Sequence, residues 1–552
     1  MRAARDRLSG FGVALALIMA GGLVLRLWGF KTGLPFVYNV DEGAHFVPRA
    51  IGMFDHTYDP GYFINPPAMT YLFHALFSLR WGGDGVREQF AADPTPVFAL
   101  ARGAVVVLST VSIGLLAWAA VRLFDRRVAL VAAALLAVAF LPVHYAHFAL
   151  NDAVLVAPVC LALAGAAGIL HSGRTRDYLI AGAGLGLAIA TKYTAGIVLV
   201  PLLAAALLAP GERRLRNLAL AGVVAGGAFL ALNPYALFSF NAFRSGLGEQ
   251  SAAAKDGGGK LGLADTNGLT YYLGTLAWGL GIVPALAALG GAVRLGWSDR
   301  RAAALLVPVP VLFLLFMGLQ DRFFARWLLP IYPFLILLAA WAAVSSFDWL
   351  AARIRRGRVP AWSPLVAAAA LLGLQGLVYA VHNDRLLTRP DTRESARAWM
   401  VDNIPAGAKV VIEPLAPQRW GDRWLKRAGS HYRVLPDGRK RLIRDGIKLE
   451  DYPQTLRPDL VSSYTRGGFC WLITGSILYG RPYVTPKRAP FAIKYYEEVK
   501  RIATPRYSVS PLEPGADEPA FSFDDSYNWR PLGYARPGPR IVIYKLHGDR
   551  CS

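Results

Sequence analysis

Two adjacent carboxylates, Asp41 and Glu42, are the side chains of this sequence best suited to acid–base chemistry. They lie in an aromatic segment shortly after the first long apolar stretch of the chain. Beside an apolar surface, at least one of the two should be partly desolvated, which raises its pKa and suits it to act as a general base. The alternative interpretation is a pair of solvated loop carboxylates.

Histidines near carboxylates suggest metal binding as a second kind of chemistry. His45 follows Asp41 by four residues, a spacing that places both side chains on one face of a helix. Because histidine and carboxylate suit a divalent metal, Asp41, His45, His144 and His147 are candidate ligands. Histidines at helix ends are the alternative, since no HExxH motif is present. The sequence indicates no cofactor apart from this candidate divalent metal.

Basic side chains occur inside or beside apolar sequence at Arg102, Lys192, Arg322 and Arg326. Charged groups at membrane depth usually face a cavity or a partner, because burying them in hydrocarbon is costly. Cations near a carboxylate pair suit the phosphate of an anionic lipid that lies beside a polar acceptor. Snorkelling to the headgroups is an equal alternative for Arg326, whereas Lys192 interrupts an otherwise apolar hairpin.

The elements that carry these residues are long apolar stretches, which recur from the N-terminus to about residue 381. A membrane-spanning helix needs about 20 apolar residues. We therefore predict a polytopic α-helical membrane protein, with two of its candidate spans, 178–190 and 194–209, shorter than the rest. The sequence predicts about eleven transmembrane helices, at 11–30, 97–121, 128–147, 152–170, 178–190, 194–209, 218–233, 269–293, 302–318, 327–347 and 361–381.

The distribution of Lys and Arg between the loops predicts the orientation in the membrane. With the N-terminus inside, the inside segments carry 18 Lys and Arg in 52 residues, and the outside segments that precede the tenth span carry 10 in 116. This asymmetry agrees with the positive-inside rule. It predicts a cytoplasmic N-terminus, and an odd number of spans then places the C-terminal region outside.

The composition fits a membrane protein and excludes several other classes. Hydrophobic residues make up 54% of the 552 residues and charged residues 17%, whereas soluble proteins carry about 25% charged residues. An ordinary soluble enzyme and a disordered chain are therefore excluded. Basic inside loops account for much of the net charge of +22, so we predict no nucleic-acid partner.

The first predicted outside loop, 31–96, is long and rich in aromatic residues. Loops of this length are often functional. Aromatic, half-apolar segments tend to lie in the membrane interface, so we expect interfacial helices in this loop. Within it, Pro66 and Pro67 precede Tyr71. Two consecutive prolines end one segment and set a rigid entry into the next helix, which is a structural role.

Residues 382–552 are polar and contain no spanning segment, so we predict a transmembrane domain at 1–381 and a C-terminal soluble α/β domain outside the membrane. Asp391 or Thr392 can cap a helix that ends near Asn403. The strands of this domain are predicted at Lys409–Glu413, Phe469–Thr474 and Ile541–Leu546.

The three cysteines exclude a disulfide scaffold and a multi-cysteine metal site. Cys470 and Cys551 both fall in the C-terminal domain, where an oxidising compartment would allow a disulfide between them. Cys160 lies within a predicted span and is interpreted as a small apolar core residue.

These residues resemble the GT-C class of polyprenyl-phosphate-sugar-dependent glycosyltransferases, and within it bacterial relatives of the protein O-mannosyltransferases and of the aminoarabinose lipid A transferase. The order of the motifs carries the resemblance: RLWGF, the Asp41-Glu42 pair, the Pro-Pro segment, Arg in the second span, HYAHFALND, GLAIATKY and RWLLPIYPF. The segments DTRESARAWMVDNIPAGAKV and PGPRIVIYKL are similar to the soluble tail of many bacterial members. Some members use a divalent metal and others do not.

The resemblance implies an inverting transfer of a sugar from polyprenyl phosphate to a hydroxyl acceptor. Asp41 matches the family's acidic base, and Glu42 would orient the acceptor or tune Asp41. The cations Arg102, Lys192 and Arg326, with Arg322 beside them, would bind the donor phosphate, on which charge develops as it leaves. The substrate pocket is expected to include His45, Tyr62, Pro66, Pro67, Tyr71, His147, Asn151, Asp152 and Tyr193.

The class modifies lipids, glycans and proteins, and the C-terminal domain does not select among these acceptors. The C-terminal domain is not the β-trefoil of eukaryotic protein mannosyltransferases, and this difference weakens the case for a protein acceptor. The expected location is a bacterial inner membrane, with the active site facing outward.

Two other functions fit parts of the sequence. A transporter of lipid-linked sugars should show duplicated halves and polar interruptions near the middle of its spans. The sequence shows no duplicated half, and the carboxylates and most of the cations lie near the predicted outer boundary. A non-catalytic membrane scaffold would only display the C-terminal domain, and the intact Asp41-Glu42 pair argues against it.

Overall fold

Two compact units make up the protein. The computed structural model describes residues 2–55, 57–255, 267–353, 363–427, 432–435, 437–442, 452–517, 521 and 530–551. Of these residues, the first unit holds those in Met1–Phe30, Ala44–Lys255 and Asn267–Asp384, and the second holds those in Lys31–Gly43 and Arg385–Ser552. The short segment that contains Asp41 and Glu42 therefore belongs to the same unit as the C-terminal region.

The described chain up to residue 387 is largely helical, and its helices belong to the first unit except for residues 40–43 and 385–387. The helices up to residue 387 are α1 (Arg2–Leu27), α2 (Val40–Ala44), α3 (Phe46–Gly52), α4 (Ala68–Trp81), α5 (Gly83–Ala92), α6 (Thr95–Leu123), α7 (Arg126–Val138), α8 (Phe140–Tyr145), α9 (Asn151–Val154), α10 (Val156–Ser172), α11 (Thr175–Thr191), α12 (Leu199–Leu208), α13 (Arg214–Leu232), α14 (Tyr235–Phe238), α15 (Phe240–Lys255), α16 (Gly268–Leu276), α17 (Ile282–Ser298), α18 (Arg300–Leu306), α19 (Pro308–Gly318), α20 (Tyr332–Arg353) and α21 (Ser363–Leu387). The 3₁₀ helices Tyr193–Val198 and Ala325–Ile331 precede α12 and α20, and a π-helical turn at Ala277–Gly281 precedes α17.

Apolar helices of membrane-spanning length dominate this unit, which confirms the prediction of a polytopic helical membrane protein. Within the described residues, eight helical segments are long and apolar enough to cross a bilayer. These segments are Gly10–Leu27, Thr95–Leu123, Asn151–Ser172, Arg214–Leu232, Gly268–Ser298, Arg300–Gly318, Ala325–Leu350 and Ser363–Asn403.

The other three predicted spans are helical but shorter. The span 178–190 lies in α11, and 194–209 corresponds to the apolar helical segment Tyr193–Leu208. The span 128–147 is divided between α7 and α8 because Pro142 has no N–H to donate to the Val138 carbonyl. Residues 361 and 362 of the last predicted span lie outside the described residues.

Close helix packing fixes the position of α11. The segment formed by α9 and α10 is strongly buried, since 89% of an apolar 18-residue stretch within it lies inside the protein. On α11, a Cβ atom at Gly182 or Gly186 would collide with the backbone of Ala221 or Ala225 on α13. Small residues at this four-residue spacing let helix backbones approach closely within a membrane. The end of α11, where Lys192 lies, is therefore held firmly.

The second unit is built around a mixed sheet, which confirms the predicted α/β domain. Its strands are β1 (Lys409–Ile412), β2 (Leu425–Arg427), β3 (Tyr432–Val434), β4 (Lys440–Leu442), β5 (Trp471–Gly475), β6 (Ala503–Val509) and β7 (Ile541–Leu546). The main sheet has the order β2-β1-β5-β7-β6, and β3 pairs with β4 separately. Strand β1 is parallel to β2 and β5, whereas β7 is antiparallel to β5 and β6.

Helices flank the sheet of the second unit. They are α22 (Thr392–Asn403), α23 (Asp459–Arg466), α24 (Ser476–Val484) and α25 (Pro490–Ile502), with 3₁₀ turns at Gln418–Gly421 and Tyr452–Thr455. The Asp391 carboxylate accepts a hydrogen bond from the Arg393 N–H, so it caps α22 as predicted. Val410 and Val411 on β1 are both fully buried, because both faces of the strand are covered.

Two of the three cysteines are bonded to each other, which settles a pairing that the sequence leaves open. Cys470 and Cys551 form a disulfide, which joins the residue before β5 to the C-terminal end of the chain. Cys160 is a buried free thiol within α10.

Candidate functional site

Asp152 lies between two cations in the first unit. The Nζ atom of Lys192 forms an ion pair with Oδ1 of Asp152, and the Nε atom of Arg326 lies 3.5 Å from its Oδ2. The side chains of Lys192, Asp152 and Arg326 are only 10%, 4% and 15% exposed. We call these three residues the charge cluster.

Each member of the charge cluster lies where a long α-helix is interrupted. Asp152 is in the short α9, and Lys192 is the extended residue at which α11 gives way to a 3₁₀ helix. Arg326 lies in the 3₁₀ helix before α20. Pro330 has no N–H to donate to the Arg326 carbonyl, so a regular α-helix cannot run through this point. Irregular backbone at membrane depth is tolerated where it is buried in protein or lines a cavity.

The charge cluster brings two cations to one buried carboxylate. Charged groups removed from water are costly unless they have partners of opposite charge. Lys and Arg donate charge-assisted hydrogen bonds to the oxygens of a phosphodiester, so the two cations suit a phosphate group.

Two sequence neighbours of the charge cluster hold the backbone around it. The Nδ2 atom of Asn151 donates a hydrogen bond to the Thr191 carbonyl, with a length of 2.7 Å. The Tyr193 hydroxyl donates to the Phe63 carbonyl at 2.9 Å. Asn151 and Tyr193, predicted to line the substrate pocket, are thus placed as supports for Asp152 and Lys192.

Arg322 and Arg326 share one aromatic neighbour. Their guanidinium carbons lie 5.1 Å and 4.1 Å from the ring centroid of Phe324. Cation–π contacts of this kind fix the orientation of a guanidinium group that has been removed from water. Arg322 therefore lies next to the charge cluster through the ring that it shares with Arg326.

Arg102 and His147 meet at the end of α1. The Nη1 atom of Arg102 donates to the Phe30 carbonyl at 2.8 Å, and Nε2 of His147 lies 3.0 Å from the Trp28 carbonyl. Trp28 and Phe30 lie in the turn that follows α1, where backbone carbonyl groups have no partners within the helix. In this structure, both side chains hold the segment that directly follows α1.

Asp384 is a buried carboxylate that the sequence analysis did not single out. Its Oδ1 atom lies 3.4 Å from Nε2 of His147, and both side chains are fully buried. The residue follows the last predicted span, 361–381, and falls in the predicted polar region 382–552. An acidic residue within the last turns of an apolar helix was the signal that could have identified it.

The predicted metal ligands do not form a metal site. His144 packs against the rings of Phe140, Tyr145 and Phe148, at centroid distances of 5.5, 5.1 and 5.3 Å. Across the described ranges, with their gaps, no group of three or more His, Cys, Asp or Glu side chains is arranged to hold a metal ion. The residues therefore do not fit a bound metal, and no chemical step is assigned to one.

Asp41 and Glu42 lie in the first turn of α2. Glu42 is fully buried and Asp41 is half-buried. The Oδ1 atom of Asn39 accepts hydrogen bonds from the backbone N–H groups of Asp41 and Glu42, at 3.1 and 3.2 Å. Asn39 thus caps the helix that carries the carboxylates, a role that an Asn two residues before an acidic pair could have suggested.

The prediction that a helix places Asp41 and His45 on one face is wrong. Helix α2 ends at Ala44, and His45 is a turn residue before α3. Pro48 has no N–H to donate to the Ala44 carbonyl, so the helix cannot continue through this position. The His45 ring instead stacks on Tyr62, with centroids 5.4 Å apart.

The other predicted pocket residues lie in the loop before α4 and in the first turn of that helix. The guanidinium carbon of Arg49 lies 3.8 Å from the centroid of the Tyr62 ring, which also contacts His45. Pro66 and Pro67 are buried directly before α4 begins, as the structural interpretation of the pair predicts. The Tyr71 hydroxyl donates to the Tyr58 carbonyl at 2.9 Å.

A known sequence family covers part of the first unit. The family described as dolichyl-phosphate-mannose-protein mannosyltransferase matches residues 98–238, about a quarter of the chain. The matched region contains Arg102, Asp152 and Lys192. No curated protein matches the chain.

Solved structures share the fold at low sequence identity. ArnT from Cupriavidus metallidurans, bound to undecaprenyl phosphate, is similar with a TM-score of 0.51 and 15% identity, over 97% of this chain and 98% of that one. The oligosaccharyltransferase of Archaeoglobus fulgidus, tethered by a disulfide bond to an acceptor peptide with the NVT sequon, is similar with a TM-score of 0.54 and 13% identity. That match covers 91% of this chain and 73% of the other. At these identities, the similarity establishes the fold.

Proposed function

Because the chain has the fold of the GT-C class of polyprenyl-phosphate-dependent glycosyltransferases, we propose that it transfers a sugar from a polyprenyl-phosphate donor to a hydroxyl acceptor. The single observation that carries the proposal is the buried charge cluster of Lys192, Asp152 and Arg326. An intramembrane cluster of ionisable residues marks a functional site by default. Two of its three members lie in the region that matches the mannosyltransferase family.

The cations of the charge cluster suit the phosphate of the donor. A sugar linked to a polyprenyl phosphate is a phosphodiester with one negative charge, and Lys192 and Arg326 can donate charge-assisted hydrogen bonds to its oxygens. When the sugar leaves, the polyprenyl phosphate gains a second negative charge. Preorganised cations beside the leaving phosphate stabilise this charge as it develops. Arg102 and Arg322 are further candidate contacts for the same phosphate.

Asp41 is the proposed general base. It removes the proton from the acceptor hydroxyl, and the acceptor oxygen attacks the anomeric carbon. The bond between the anomeric carbon and the phosphate oxygen breaks, the configuration inverts, and polyprenyl phosphate departs. Glu42 orients the acceptor or tunes Asp41. His45, Tyr62, Tyr71 and the Pro66-Pro67 turn are proposed to shape the acceptor side of the pocket.

The proposed location is a bacterial cytoplasmic membrane, with the reaction at its outer face. The excess of Lys and Arg in the predicted inside loops supports this orientation. The Cys470–Cys551 disulfide supports an oxidising compartment for the C-terminal unit. The acceptor is a lipid, a glycan or a protein that reaches this face.

A transfer assay tests the proposal. Purified protein in liposomes is incubated with a panel of radiolabelled polyprenyl-phosphate sugars, and release of polyprenyl phosphate with sugar transfer to water or an added acceptor is measured. Wild type should consume one donor, and Asp41→Asn should lose about 10²- to 10⁴-fold in rate. Asp84→Asn, the same change at an exposed residue of α5, is the matched control and should retain activity. Movement of the intact donor across the bilayer without cleavage would instead identify a transporter.

A further inference from the structure

Two arginines of α22 hold the segment that precedes Asp41. The guanidinium carbon of Arg393 lies 3.8 Å from the ring centroid of Tyr38, and that of Arg397 lies 5.0 Å from the centroid of Phe36. The arginines are one helical turn apart, and the two rings flank Val37. We call Phe36–Tyr38 the hook. Its aromatic rings pack against the hydrophobic core of the C-terminal region within the second unit.

The arginines are fixed by partners other than the hook. The Nε and Nη2 atoms of Arg393 donate to the two carboxylate oxygens of Asp391 at 2.8 and 2.7 Å, and Nη1 donates to the Leu415 carbonyl at 3.3 Å. The Nε atom of Arg397 donates to the Trp420 carbonyl at 2.8 Å. A guanidinium group held in this way presents a fixed flat face to an aromatic ring. The hook therefore meets a preorganised surface.

The backbone of the hook adopts a conformation that needs external support. Val37 has a φ of 53°, a region that β-branched residues rarely adopt. Such strain persists only where the surroundings determine the conformation, and it concentrates at functional sites. Gly33 forms the turn before the hook with a φ of 67°. A side chain does not fit at this position, because a Cβ atom would lie 2.8 Å from Cδ2 of Tyr38.

The hook is joined to the carboxylates by a short connection that is held by hydrogen bonds. Only Asn39 and Val40 separate Tyr38 from Asp41, and the Asn39 side chain is hydrogen-bonded to the backbone N–H groups of Asp41 and Glu42. A shift of the hook is therefore passed directly to the first turn of α2. Misplacement of a catalytic group by about 1 Å can lower a rate by as much as about 100-fold.

From these contacts we infer that Arg393 and Arg397 are positioning residues for Asp41, and that the C-terminal region is part of the catalytic apparatus. This inference rests on the proposed role of Asp41 as the base. Arg393 and Arg397 are not proposed to contact the substrate. They act through Tyr38 and Phe36, which set the position and orientation of the first turn of α2.

Steady-state kinetics on the full chain test the inference. Tyr38→Leu and Arg393→Ala should each lower kcat by about tenfold or more, while the KM for the polyprenyl-phosphate sugar stays within about twofold. Arg423→Ala, which removes an exposed positive charge from the same unit, is the control and should match wild type. In an Asp41→Asn background, Tyr38→Leu should have no further effect. A wild-type kcat in Tyr38→Leu, or a further loss in the double variant, would overturn the inference.

Hydrogen exchange supplies a readout that does not depend on activity. In both Tyr38→Leu and Arg393→Ala, peptides covering residues 40–44 should exchange faster, while peptides from β1 and β5 keep their wild-type protection. Tyr38→Leu keeps the test valid if Arg393→Ala fails to fold. Unchanged exchange at 40–44 in Tyr38→Leu would overturn the inference even if wild type consumed no donor. Equal activity of wild type and Asp41→Asn, with faster exchange at 40–44, would reject the proposed base and retain the anchoring contact.

Discussion

Lys192 and Asp152, 40 residues apart in the sequence, form an ion pair inside the helical unit. Arg326, from a third segment, shares the carboxylate at 3.5 Å. The pairing joins three interruptions of long helices in one buried place. We interpret the charge cluster as a preorganised site for an anionic group. The helix interruptions and the close packing of α11 fix the positions of its side chains.

Removal of the Asp152 carboxylate tests whether the charge cluster binds phosphate. Asp152→Asn leaves two buried cations without their shared partner, and breaking a buried pair typically costs about 3–5 kcal/mol. The unfolding temperature of the variant should therefore fall. Undecaprenyl phosphate should raise that temperature more in Asp152→Asn than in wild type, because its phosphate replaces the missing negative charge. The measurement is thermal unfolding in detergent, with and without the lipid.

The control for this experiment is a second buried ion pair. Arg122 pairs with Asp177, whose side chain is fully buried. Asp177→Asn should also lower the unfolding temperature, but its response to undecaprenyl phosphate should equal that of wild type. An equal response of wild type and Asp152→Asn would contradict the assignment of phosphate to the charge cluster.

A buried carboxyl group predicts the pH dependence of the second unit. Glu413 accepts hydrogen bonds from the Gly475 N–H at 2.9 Å and from the Tyr496 hydroxyl at 2.6 Å. Burial raises the pKa of Glu413 from an ordinary 4.5 to about 8. The pKa of Glu413 is higher in the folded protein than in the unfolded protein. The stability that this difference contributes is complete below the unfolded pKa and is lost as the pH rises through the folded pKa. In that window the free energy of unfolding falls by about 1.4 kcal/mol per pH unit.

Glu413→Gln should flatten this dependence. The amide keeps the shape of the carboxyl group and has no charge to bury, so the variant should be more stable than wild type at the alkaline end of the window. Hydrogen exchange of β1 and β5 peptides, corrected for the intrinsic effect of pH, measures the effect in the full chain. Glu498→Gln, which removes a carboxylate that is paired with Arg501 and whose pKa is lowered, is the control. A pH profile of Glu413→Gln identical to that of wild type would refute the assignment.

The disulfide predicts a specific pattern of thiol reactivity. Cys470 and Cys551 are bonded across a sequence separation of 81 residues, whereas Cys160 is a free thiol. Alkylation of the denatured, unreduced protein should modify Cys160 alone, and prior reduction should expose all three thiols to modification. Closing a loop of this length stabilises a fold by about 4–5 kcal/mol on chain-entropy grounds. Cys470→Ser should lower the stability of the second unit accordingly, and three reactive thiols without reduction would contradict the bond.

Local patterns in the sequence were sufficient for most of the fold. Apolar runs of spanning length located the helices of the first unit, and Asp391 correctly marked the start of α22. The end of α2 is also a local effect, because Pro48 has no N–H to donate to the Ala44 carbonyl, and the four-residue spacing of Asp41 and His45 does not reveal it. The Asp41-Glu42 pair, although conspicuous in sequence, gave no indication of the hook that holds it.

Long-range contacts could not be predicted from spacing. Lys192 is conspicuous in the sequence because it interrupts an apolar stretch, but its pairing with Asp152 depends on how α9 and α11 pack. The contact of Arg393 with Tyr38 joins residues more than 300 positions apart, and neither stands out in its own segment. Such contacts depend on tertiary packing, which hydropathy and turn signals do not specify.

The proposed role of Asp41 is tested most directly by a single-turnover measurement on donor already bound to the protein. Wild type and Asp41→Asn are loaded with the active polyprenyl-phosphate sugar, an acceptor is added, and the rate of polyprenyl phosphate release is followed together with the donor Kd. If Asp41 is the base, Asp41→Asn slows the chemical step by about 10²- to 10⁴-fold while the Kd for the donor stays unchanged. Release at the wild-type rate by Asp41→Asn would show that Asp41 is not the base.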